Sequence, residues 1–88
     1  MSQKLIDDAN LGTNLRRLRL AHGYTQKELC QKLKNMHYGI GLTTYGKSER
    51  GQVAIRAALI VFLRKLYKCR YEDFFDGTMY AGRSPSEI

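Results

Sequence analysis

Gly23-Tyr24-Thr25-Gln26-Lys27-Glu28-Leu29-Cys30 is the stretch whose reading decides the fold. Gly23 is free to take a positive φ and can end one helix, and the Thr25 hydroxyl can accept an amide hydrogen bond at the N-cap of the next. Glu28, three residues on, completes a capping box. One helix therefore stops near Gly23 and another starts at Gln26. Gln26 holds the first helical position, where a long amide projects from a positively polarised helix end toward any docked anion.

Upstream, Leu11, Leu15 and Leu18 recur at i, i+4 and i+7, which predicts a helix from about Asn10 to Ala21 with an arginine-rich opposite face. Downstream, Leu29, Leu33 and Met36 form the apolar stripe of the second helix. Ser48-Glu49-Arg50-Gly51 ends a third. Ile55, Leu59, Phe62, Leu63 and Leu66, widened by Ala58, mark a fourth helix, and Ile60 and Val61 fall off that stripe. A helix this apolar around its circumference needs a second contact surface, supplied either by a partner or by a fifth helix, Tyr71 to Phe75. No segment reads as a strand. The expectation is an all-α domain over residues 11–76, with an N-terminal arm at 1–10 and a tail at 77–88 that has little to bury.

Leu15, Leu18, Arg19, Gly23, Thr25-Gln26, Glu28-Leu29 and Glu49-Arg50-Gly51 together resemble the Cro/lambda-repressor-like family of DNA-binding domains. The resemblance implies a compact five-helix, lambda-repressor-like fold with a helix-turn-helix. Its third helix would enter the major groove while the start of the second grips phosphates. Placing Glu49-Arg50-Gly51 on the family pattern puts Tyr45 and Ser48 at core positions. Gly41, Leu42, Thr43, Gly46 and Lys47 then fall where the family faces the bases. Gln26 falls on a position that contacts backbone and helps read a base. Lys27, Thr44, Arg16 and Arg50 complete the expected DNA-binding set, Arg50 on phosphate and Lys47 on phosphate or guanine. Thr43 or Thr44 also competes for the role of N-cap of the third helix. Arg19 and Glu49 occupy positions that form a partly buried ion pair in the family, a structural role.

The function this implies is a sequence-specific transcriptional regulator, a repressor acting as a homodimer on a pseudo-palindromic operator in double-stranded DNA. Ile60, Val61, the fifth helix and the tail are its candidate dimer surfaces. The alternative is a protein-interaction module or antitoxin-type partner that keeps the fold but reads DNA weakly. The chain departs from the family at Lys34-Asn35-Met36-His37-Tyr38, five residues inserted before Gly39-Ile40-Gly41. These either lengthen the second helix or form a protruding loop, and either Gly39-Ile40 or Gly41-Leu42-Thr43 serves as the turn. The third helix is weak by itself, because Gly46 costs about 1 kcal/mol relative to alanine. Ser48 is a further loss unless its hydroxyl bonds back to a carbonyl in the preceding turn.

Composition agrees with a polyanion-binding domain. The 88 residues carry 15 Lys and Arg against 8 Asp and Glu, a formal +7. Residues 11–51 hold eight of these cations against only Glu28 and Glu49, and residues 52–71 add five with no acid. Cys30 and Cys69 make no disulfide framework, and with His22 and His37 they lack the paired short spacing of a zinc site. No cofactor and no small-molecule ligand are expected. Met1 to Asn10 does not resemble a secretion signal, and no run approaches the roughly twenty apolar residues of a membrane span. A reducing cytoplasm is the expected compartment. No nucleophile and base are brought together by a recognisable motif, so an enzyme is not expected, and His22 belongs with helix-end carbonyls.

Overall fold

A computed structural model describes residues 5–6 and 9–78. The order is β1 (Leu5–Ile6), α1 (Ala9–Ala21), α2 (Gln26–Asn35), α3 (Leu42–Glu49), β2 (Ile55–Arg56), α4 (Ala57–Tyr67) and α5 (Tyr71–Phe75), an all-α domain of five helices with one small ladder.

The first three helices stop in the same way, and the stops set their lengths. After α1, Gly23 at φ +78° lets its own amide reach Leu20 O at 3.1 Å and the Tyr24 amide reach Arg19 O at 3.2 Å. This is the paired 5→2 and 6→1 bonding of a Schellman motif. After α3, Gly51 at φ +72° does the same, with Gly51 N bonding to Ser48 O at 3.3 Å and Gln52 N to Lys47 O at 2.9 Å. After α2 the left-handed residue is His37 at φ +67°, with His37 N on Lys34 O and Tyr38 N on Leu33 O, both at 2.9 Å. The inserted residues thus divide. Lys34 and Asn35 extend α2, and Met36 to Tyr38 form its stop. The connection ends at Gly41, which is the N-cap of α3. Neither Thr43 nor Thr44 caps that helix, because both already lie inside its first turn.

At the start of α2 the capping box forms as the sequence predicts: Glu28 N donates to Thr25 Oγ1 at 3.1 Å, and Thr25 N to Glu28 Oε1 at 2.9 Å. Leu11, Leu15, Leu18, Leu29, Leu33, Tyr45, Leu59, Leu63, Phe74 and Phe75 meet in one core. Ser48, in a position where an aliphatic residue would pack, is buried with its hydroxyl donating to Thr44 O at 3.0 Å. His22 likewise bonds through Nδ1 to Leu18 O at 2.8 Å.

Three expectations are corrected. Ile55 lies in β2 rather than α4, because β1 pairs antiparallel with it in the register Leu5↔Arg56 and Ile6↔Ile55. That pairing buries Ile6 completely, so part of the arm belongs to the core. Ile60 is also fully buried, in a stripe of Leu59, Ile60, Leu63 and Tyr67, and so cannot line a dimer surface. α5 turns Phe74 and Phe75 inward. Residues 79–88, which make up most of the expected tail, lie outside the described residues.

A five-residue helix is too short to hold itself, and α1 holds this one. Asn14 Nδ2 donates to Phe74 O at 2.8 Å and Asp76 O at 2.7 Å, Asn10 Nδ2 to Gly77 O at 2.9 Å, and Arg17 Nη2 to Asp73 O at 3.0 Å. Asn10, Asn14 and Arg17 stand at i, i+4 and i+7, so one stripe of α1 satisfies the carbonyls at the end of α5.

Candidate nucleic-acid interface

The α2 N-terminus and α3 are tied by a polar knot. Arg19 Nε donates to Glu49 Oε2 at 2.7 Å and Arg19 Nη2 to Glu49 Oε1 at 3.0 Å, with both side chains buried. Arg19 Nη1 reaches Tyr24 O at 2.8 Å in the turn between α1 and α2. Gln26 Nε2 adds a third donor to the same carboxylate, at 3.1 Å from Glu49 Oε1. The carboxylate therefore holds three elements: the end of α1, the start of α2 and the end of α3. Burial opposes its ionisation, but the hydrogen bonds and the charge of Arg19 outweigh burial and hold it below the usual carboxylate range. Tyr45 and Tyr67 are buried beside this knot; burial pushes both phenols up, and the Glu49 carboxylate beside the Tyr45 hydroxyl adds to the rise there.

α1 comes close to α3 at Gly12, where an added Cβ would meet Ser48 O at 2.6 Å and Glu49 O at 2.7 Å. The carbonyls at the end of α3 thus lie directly against the α1 backbone.

The outward side of α3 is organised around one stripe. Thr43, Lys47 and Arg50, at i, i+4 and i+7, are exposed on it. Leu42, 48% exposed, leans toward α2 and lines a shallow groove with Lys27, Gln31, Lys34 and Ile40. Thr44 turns the other way, into a pocket of about 210 Å³ with Tyr38 and Arg56. Gly46 lies on the outward side yet is buried, because Gln26 and Arg50 cover it. Arg16 is exposed one helical turn beyond Gly12, and so stands on the side of α1 that meets the end of α3.

The structure thus brings Gln26, Arg50 and the Thr43–Lys47 stripe onto one face, with Lys27 and Leu42 along its α2 border. Thr44 stands around its edge and Arg16 on the neighbouring helix. Sequence reading missed Gln52, whose Oε1 accepts from Arg50 Nε at 3.3 Å; only its place two residues beyond Arg50 pointed to it.

The charge on this face is one-sided. Two ion pairs occur among the described residues, Arg19–Glu49 and an exposed Arg70–Glu72, and neither uses Arg16, Lys27, Lys47 or Arg50. Of the two acids between residues 11 and 51, Glu49 is occupied by Arg19, and Glu28 is held at the Thr25 cap, whose hydrogen bonds lower its pKa.

Comparison with family models, with curated proteins and with solved structures finds no match. Among the described residues no three His, Cys, Asp or Glu side chains are grouped to hold a metal ion, and no helix is long and apolar enough to cross a membrane. Burial pushes the thiols of Cys30 and Cys69 up, away from the thiolate form that a nucleophile needs.

Proposed function

We propose that the protein is a sequence-specific DNA-binding regulator of the Cro/lambda-repressor type, acting as a repressor and as a homodimer on a pseudo-palindromic operator. α3 would lie in the major groove, with the start of α2 against the adjacent phosphates. The observation that carries this reading is the Arg19–Glu49–Gln26 knot. It fixes α2 and α3 to one another while using the one acid of α3 internally, so among the described residues the outward stripe offers Lys47 and Arg50 outside any ion pair. The family resemblance in Thr25-Gln26, Glu28 and Glu49-Arg50-Gly51 supports the same reading.

The test is selection from random-sequence duplex DNA followed by affinity measurement across a salt series. A regulator enriches a palindromic site, and log affinity falls with log salt at about −0.9 per phosphate neutralised. No enrichment, with weak binding only at low salt, would overturn the proposal. One observation favours a second reading, an interaction module or antitoxin-type partner: the exposed Leu42 beside Ile40 in the α2 groove is apolar surface that a protein partner could cover.

A further inference from the structure

We infer that Gly46 is a notch that seats Arg50 and Gln26 side by side, so that together they read one G·C base pair. The inference rests on the DNA-reading function proposed above and names the base pair selected at that point of the site. A Cβ on Gly46 would lie 3.2 Å from Arg50 Nη1 and 3.3 Å from Gln26 Oε1, so both polar heads converge on the space that any other residue would fill.

Each head is oriented by its own partner. Gln26 gives Nε2 to Glu49, which Arg19 holds in turn, and this leaves Oε1 as an acceptor beside Gly46. Arg50 gives Nε to Gln52 and lies back along α3, which leaves its two terminal nitrogens as donors. At the notch a guanidinium fork therefore lies next to one carbonyl oxygen.

In the major groove guanine offers N7 and O6 as acceptors, and its paired cytosine offers the N4 amino group as a donor. Fork on guanine and carbonyl on cytosine satisfy all three. An A·T pair in the same place sets the adenine N6 donor against the fork and the thymine O4 acceptor against Gln26 Oε1. Both contacts are then repulsive, so the arrangement discriminates by mismatch as well as by attraction.

The experiment is site selection with the full chain, Gly46→Ala and Arg50→Lys, each with a thermal unfolding curve. The original chain should select a G·C pair at one position of each half-site. Gly46→Ala, which fills the notch, and Arg50→Lys, which keeps the charge but loses the fork, should each weaken that preference on the order of tenfold and leave the other positions unchanged. Arg50 is exposed, so its variant reports even if Gly46→Ala disturbs folding. An unchanged G·C preference in Arg50→Lys, or an equal loss of affinity for every sequence, would overturn the notch. Failure of the original chain to select any site would overturn the DNA-reading proposal instead.

Discussion

Arg19 grips both oxygens of Glu49, Nε to Oε2 at 2.7 Å and Nη2 to Oε1 at 3.0 Å, and through that pair the end of α1 is joined to the end of α3. Removing one member leaves the other charge buried and unpaired. Glu49→Ala should therefore lower stability by about 3–5 kcal/mol, measured by urea unfolding with the slope m unchanged. A loss below about 1 kcal/mol would show that the pair carries little of the α1–α3 contact.

The same carboxylate predicts an acid limb. Its pKa in the folded protein lies below the ordinary 4.5. A group depressed in this way adds stability above its unfolded pKa and loses it as pH falls through the folded value. Stability should be level from neutral pH to about 5 and fall on further acidification. Glu49→Gln should flatten that fall, read as the urea midpoint against pH. An equally steep limb in the variant would assign the titration to other carboxyls.

Lys47 is exposed on the α3 stripe and makes no ion pair among the described residues. Lys47→Ala should weaken DNA binding and, if the contact is to phosphate, reduce the salt slope by about 1, with the unfolding curve unmoved. A variant that unfolds early but binds unchanged DNA would show that the outward face is misassigned.

Gly12 lies inside α1, although glycine is a poor helix former. A methyl group there would run into Ser48 O at 2.6 Å and Glu49 O at 2.7 Å, and both are backbone atoms that cannot swing aside. Gly12→Ala should destabilise the domain by about 1–3 kcal/mol despite its better helix propensity, measured by thermal unfolding. A stabilised variant would mean that α1 and α3 can separate without cost.

His37 holds a left-handed conformation at φ +67° that glycine adopts without strain. Strain of about 1–2 kcal/mol is relieved by glycine, less about 0.5–1 kcal/mol for the greater freedom of the unfolded chain. His37→Gly should raise stability by about 0.5–1 kcal/mol, seen as a higher urea midpoint. A lower midpoint would show that the imidazole makes a contact worth more than the strain.

The sequence made legible what rests on neighbours along the chain. Thr25 and Glu28 cap α2, and Gly23 and Gly51 end α1 and α3, because capping and positive φ are local properties. The Arg19–Glu49 pair came from the family pattern and forms as implied. What could not be read depends on distant segments meeting. The stop at His37 uses a residue that is not the usual left-handed one, so nothing in Lys34 to Tyr38 announced it. Ile60 looked misplaced on α4 because the stripe was drawn from Ile55, a residue that β1 pulls out of the helix. In the candidate interface Thr43, Lys47 and Arg50 were legible as one outward stripe from their spacing, but the turn of Thr44 away from it and the burial of Gly46 were not. That burial comes from side chains reaching in from α2 and from the end of α3, and spacing does not show where they fold back.

The pairing of Leu5–Ile6 with Ile55–Arg56 moves the boundary of the folding unit. A polypeptide cut to the first helical repeat, at about residue 10, would keep nearly every helical residue and still lose Ile6, which is wholly buried. The vacancy is of the kind left when a buried isoleucine becomes alanine, about 2–5 kcal/mol. In a domain whose whole margin is about 5–15 kcal/mol, that is a large share. The five helices thus describe the architecture but fall short of the smallest piece that closes its own core.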